Sequence, residues 1–185
     1  TDYGACNGDF SFQFYPNRVP ASASTLCGVD ESVNSTAENL SYVGMYTKNG
    51  NLYVPDMANH RVLIFYDPWS TDSVADELIG QDDFSGNLCN KSLVGGIAPT
   101  NSSVCLGQRH DESADVGNRH GSGVSLDNSG NLWVADSSNH RVLRFPKQAD
   151  GKIAKTADIV LGQTDFVSGY LKAGTALNKF KNPKN

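Results

Sequence analysis

Residues 108–121 read QRHDESADVGNRHG and gather His110, Asp111, Glu112, Asp115 and His120 in one short stretch. Imidazoles and carboxylates ligate divalent metals and move protons at neutral pH. The spacing does not develop that potential. No His-Glu-x-x-His is present, and HGSGVS does not have the Gly-x-Ser-x-Gly spacing of a hydrolase elbow. Asp82 and Asp83 lack the ligand series of a calcium loop. The stretch reads as a solvated polar loop.

The other two histidines, His60 and His140, stand in near-copies of one sentence. Residues 50–65 are GNLYVPDMANHRVLIF and residues 130–145 are GNLWVADSSNHRVLRF. A metal or catalytic role for these histidines is weakened by repetition. The same residues recur at the same place in each copy, which favours scaffold. In both, Asp56 and Asp136 precede a turn, where a carboxylate accepts hydrogen bonds from the residues that follow.

The four cysteines, Cys6, Cys27, Cys89 and Cys105, include no Cys-x-x-C pair that would suggest zinc. They admit three disulfide connectivities or free thiols. The segments around them are also duplicated. Cys-Asn occurs at 6–7 and 89–90, STLCG (24–28) answers SSVCLG (102–107), and DES recurs at 30–32 and 111–113. The duplication favours Cys6–Cys27 and Cys89–Cys105, each closing one loop and contributing about 3 kcal/mol. Four Asn-x-Ser/Thr sequons, at Asn34, Asn39, Asn90 and Asn101, lie outside the repeated sentence. They predict N-linked glycans in a secreted chain.

The elements that position these residues are short strands. In the second copy GVSLD (123–127), NLWVAD (131–136), RVLRF (141–145) and ADIVLG (157–162) alternate apolar and polar positions and are separated by turns. In the first, YVGMY (42–46), NLYVPD (51–56), RVLIF (61–65) and ADELIG (75–80) take the same places. Each set predicts a four-stranded antiparallel meander, the size of one propeller blade. Pro55 replaces Ala135 and predicts an edge or a bulge, because proline gives no ladder donor.

The run G-N-L-[YW]-V-x-D-x-x-N-H-R-V-L-x-F, with LIGQDDF (78–84) and VLGQTDF (160–166) behind it, resembles the NHL-repeat family of β-propellers. The third letter of the eponymous triplet is Arg61 or Arg141 here rather than leucine. The resemblance implies an all-β fold of NHL-type blades radiating from an axis. It also implies that Asn59, His60, Arg61, Asn139, His140 and Arg141 tie each turn to a neighbouring strand or blade. Some family members are enzymes, notably the lyase that completes peptide amidation, but the His, Tyr and Arg set of that enzyme cannot be placed on this sequence. The domain plan is an N-terminal strand and cysteine loop (1–41), a blade (42–84), a cysteine loop (85–121), a blade (122–166) and a lead-in to a next blade (167–185).

Two blades do not close a ring, since propellers use four to eight. The ring is expected to be completed by further blades, by degenerate linking segments, or by neighbouring subunits. DFSFQFY (9–15) alternates Phe10, Phe12 and Phe14 against polar residues and would serve as a self-assembly strand, added to an exposed sheet edge.

The 185 residues carry a formal charge of −5, which speaks against nucleic acid as partner. No run of 18 apolar residues predicts a membrane span. The opening TDYGAC reads as a mature, processed secreted chain. The sequence therefore predicts a non-catalytic extracellular propeller scaffold without cofactor or metal. It would bind protein or associate with itself as a filament subunit. The rival is a ligand-binding or enzymatic propeller with a metal at its axial mouth.

Overall fold

The computed structural model describes residues 22–24, 43–92, 98–106 and 122–169. Cys6, Cys27, Asn34, Asn39, Phe10, Phe12 and Phe14 lie outside the described residues, as do His110, Asp111, Glu112, Asp115 and His120. Among the described residues the fold is all-β, with short 3-10 turns and no α-helix.

Nine strands follow in order: β1 (Val43–Gly44), β2 (Tyr46–Lys48), β3 (Asn51–Asp56), β4 (Arg61–Phe65), β5 (Glu77–Ile79), β6 (Ser122–Leu126), β7 (Leu132–Asp136), β8 (Arg141–Phe145) and β9 (Ile159–Leu161). β2 to β5 form one antiparallel meander and β6 to β9 the other. These are the two blades. Each hairpin follows its turn chemistry. Asn49 (φ 54°) and Gly50 (φ 83°) make a two-residue connection between Lys48 and Asn51, where both positions require positive φ. The second blade uses a longer turn, Asp127–Asn131, with Gly130 at φ 85°.

One expectation is corrected. The stretch 42–46 is not one strand of the first blade. β1 leaves that blade and pairs in parallel with β6, Val43 against Ser122 and Gly44 against Gly123. Met45 separates it from β2. The backbone of β1 thus covers the free edge of the second blade's first strand, which makes that sheet five-stranded beside the separate four-stranded sheet of the first blade. Pro55 involves no bulge. Pairing with β2 stops at Tyr53, so at Pro55 the ladder has its neighbour, Val62, on one side only, a place where a missing N–H is tolerated.

The core follows from the period-two pleat. In the first blade Tyr53, Val62, Ile64 and Ile79 project from one face. They pack against Leu132, Val134, Leu143 and Phe145 of the second, with Val104 and Leu106 of the intervening loop. Leu63, Ala75 and Leu78, on the opposite face of the first blade, form a separate cluster with Phe65 and Phe84. Polar ties reinforce the blade-to-blade contact. Lys155 donates to the Leu78 carbonyl at 2.7 Å, and Lys152 pairs with Glu77 at 3.1 Å.

Candidate functional site

The repeated polar residues converge in each blade on the turn between its second and third strands. Asp56 lies opposite Arg61 in the ladder and Asp136 opposite Arg141. Between them the chain makes a 3-10 turn, ended by His60 (φ 49°, ψ 50°) and His140 (φ 53°, ψ 43°) in the left-handed conformation. Histidine is among the few non-glycine residues that enter this region readily. Its backbone N–H closes the turn, on Met57 in one blade and Ser137 in the other.

Each turn is cross-braced. Asn59 Nδ2 donates to both carboxylate oxygens of Asp56, at 3.1 and 3.0 Å, and Arg61 Nε donates to Asp56 at 2.7 Å. The second blade repeats this with Asn139, Arg141 and Asp136 at 3.0, 2.9 and 2.7 Å. Both Arg–Asp pairs have side chains at 0% exposure. Buried charge is tolerated only when its remaining donors and acceptors are used, and here they are. Arg141 Nη1 donates to the Phe166 carbonyl, and Nη2 donates to the carbonyls of Thr100 and Ser103. Asp136 also accepts from the Cys105 N–H at 2.7 Å. Arg61 reaches the Phe84 and Ser22 carbonyls in the same way. The arginine therefore ties together the turn, the exit from its blade and the loop that precedes it.

Gln81 and Gln163 belong to this arrangement and were missed as functional positions in the sequence. Each sits in the Gly-Gln pair after the fourth strand and donates Nε2 to the motif histidine's carbonyl, at 2.9 Å (His60) and 3.2 Å (His140). Their recurrence in LIGQDDF and VLGQTDF was the available signal. Gly80, before Gln81, has φ +100°, and a Cβ there would run into Val104 and the His60 carbonyl.

Cys89 and Cys105 form a disulfide with Cα atoms 4.5 Å apart. It closes the loop onto the second blade's turn. Asn90, next to Cys89, is buried and exchanges two amide hydrogen bonds with Asn139, at 3.1 and 2.8 Å. The Asn90 Nδ2 of the sequon, where a glycan would be attached, faces the inside of the fold and donates to Asn139. Asn101 is half-buried, and its carbonyl accepts from the Ala157 N–H.

Outside the turn, Asp127 organises the outer surface of the second blade. It accepts from the Asn131 side chain at 2.9 Å, from Trp133 Nε1 at 3.1 Å, and from the Ser129 and Asn131 N–H groups. These bonds, the Asn131 side chain foremost, pull its carboxyl down to about 2. Arg144 lies 5.9 Å from the Trp133 ring centroid and grips Asp158 with two bonds, at 3.0 and 2.7 Å. On the first blade a largely apolar cleft of about 350 Å³ is lined by Leu52, Leu63, Phe65, Pro68 and Trp69. Trp69 is 75% exposed. Among the described residues no group of three or more His, Cys, Asp or Glu side chains is placed to hold a metal, and no helix is long and apolar enough to cross a membrane.

No curated protein matches the chain. Residues 122–145, β6 through β8 with the Asp136–Arg141 turn between, match the family model of the NHL repeat. Residues 122–145 thus carry an NHL repeat; the first meander rebuilds the same latch around Asp56 and Arg61, and the two antiparallel meanders are consistent with NHL-type propeller blades.

Proposed function

We propose that this chain is a non-catalytic extracellular scaffold that works through protein contacts, including association with copies of itself. The observation that carries the reading is the inward use of the repeated polar residues. Asp, Asn and Arg are spent on one another and on backbone carbonyls, at full burial, in both blades. Groups so engaged hold a scaffold, and catalysis needs groups presented to a substrate. The Cys89–Cys105 bridge supports an oxidising, secretory setting. Exposed Trp69 beside its apolar cleft supplies an aromatic anchor of the kind interfaces use.

The test is the native particle mass by light scattering, set against the 19.9 kDa chain. A multiple of that mass, lost on deletion of residues 1–15, supports self-association through the Phe10, Phe12 and Phe14 segment. A single-chain mass refutes it. Stoichiometric zinc or calcium in the purified protein would instead favour the metal-dependent rival.

A further inference from the structure

The two blades meet through unlike faces. The first blade contributes Tyr53, Val62 and Ile79, and the second contributes Leu132, Leu143 and Phe145. The pleat and the repeat define the equivalent faces on the far sides. Trp133, Val142 and Leu161 stand in the second blade where Tyr53, Val62 and Ile79 stand in the first, and Leu52, Leu63 and Phe65 stand in the first where Leu132, Leu143 and Phe145 stand in the second. Each blade thus has one face of each kind, and the contact within the chain uses one of each.

The two remaining faces are incompletely covered. On the second blade Trp133, Val142 and Ile159 are half-buried and Leu161 is 42% exposed, whereas Val62 and Ile79 are at 0%. On the first blade Leu52 and Phe65 are half-buried beside the apolar cleft. Within the chain, Val104 and Leu106 of the preceding loop cover part of the second blade's inner face, and the first blade covers the rest. Ala23 and Ser24 of the loop preceding the first blade line its cleft in the same way. The cleft is then the part of that face a further blade would fill. Charge follows the same plan with its signs exchanged. Between the chain's own blades, Lys152 of the β8–β9 connection meets Glu77 on the first blade. The first blade's β4–β5 connection carries Asp67, Asp72 and Asp76 with no Lys or Arg, and Asp72 lines the cleft. On the second blade's open face the position answering Glu77 is Ile159, and Arg144 lies beside it in the ladder. Arg144 keeps Asp158 as its partner, so this complementarity sets register more than affinity.

We infer that the open face of the second blade, with Trp133, Val142 and Leu161, seats on the first blade's cleft, at Leu52, Phe65 and Trp69, in another copy of the chain. This rests on the self-association proposed above and gives it a contact separate from residues 1–15. The two surfaces are unlike, so the contact is heterologous, and its repetition runs head to tail into a ring or a filament.

The experiment uses the full chain. Trp69→Ser and Leu161→Asp each disable one of the two surfaces, at positions exposed in the single chain. Each is expected to lower the native particle mass to that of one chain. An equimolar mixture of the two should recover particles of two chains, because each variant keeps the surface the other lacks. A readout without variants comes from the chain's two tryptophans, Trp69 and Trp133, which both lie in the contact. Their quenching by acrylamide should fall as the unaltered protein is concentrated into its associated form. Native mass retained in both variants, a mixture that stays at one chain, or quenching unchanged across association would each overturn the proposal. Mass lost on deletion of residues 1–15 but kept in both substitutions would refute this contact and leave self-association standing, whereas a single-chain mass for the unaltered protein refutes both.

Discussion

Arg141→Ala tests whether the buried latch holds the second blade. The guanidinium is at 0% exposure, makes a 2.7 Å ion pair with an equally buried Asp136, and donates to three carbonyls. Truncation leaves Asp136 with Asn139 and the Cys105 N–H but without its counter-charge, and it strands the carbonyls of Phe166, Thr100 and Ser103. Removing one partner of a buried pair costs about 3–5 kcal/mol. For a chain of this length that is a Tm loss of about 6–20 °C. Arg141→Lys should fall between, since an ammonium answers Asp136 but has no planar fork to reach three carbonyls. The surface pair Lys91–Asp82, whose carboxylate is 81% exposed, is the contrast. Asp82→Ala should cost less than about 1 kcal/mol. Urea unfolding followed by Trp fluorescence measures all three. A loss below about 1.5 kcal/mol for Arg141→Ala would refute the claim that burial makes this pair decisive, because it would place the latch in the range of a solvated ion pair.

Serine at both Cys89 and Cys105 should lower stability by about 3 kcal/mol, as expected for a bridge across a sequence separation of 16; a shift below about 1 kcal/mol in the urea midpoint would remove the disulfide from this account. Intact mass of secreted protein should be unchanged by Ser92→Ala, which destroys the Asn90 sequon, whereas a glycan lost with that substitution would contradict the Asn90–Asn139 pairing. Gly80→Ala should destabilise by more than about 1 kcal/mol, since L side chains resist positive φ and its Cβ would meet Val104 and the His60 carbonyl. The carboxyl of Asp127 is depressed in the folded chain to about 2 from its ordinary 3.8, so its contribution is present above the ordinary value and is lost as pH falls through about 2. The urea midpoint should decline between roughly pH 4 and 2, and Asp127→Asn should flatten that decline; an identical acid profile in the variant would count against the Asn131 and Trp133 bonds.

Local patterns in the chain made the blades legible. Alternation in NLWVAD and RVLRF places Leu132, Val134, Leu143 and Phe145 on one face, the face that the first blade covers. Asn49-Gly50 announced its hairpin because few residue pairs accept two positive φ values. Asp before a turn announced the cross-brace with Asn and Arg, since its partners are within five residues.

Beyond that range the duplicated cysteine segments pointed to the Cys89–Cys105 bridge, but the polar contacts and the strand exchange were decided by the tertiary structure. Arg141 reaches carbonyls 38 and 41 positions earlier, and a backbone carbonyl carries no residue-type signal. Asn90 looked like a sequon because its sequence neighbours make one; its meaning comes from Asn139, 49 positions away. Val43–Gly44 looked like the first blade's own strand because pairing in a sheet depends on which edge is open, and the open edge belonged to β6. The repeat determined what each blade is. Packing of one blade's Ile64 and Ile79 against the other's Leu143 and Phe145, with the loops drawn onto the buried arginines, determined how the two are held together.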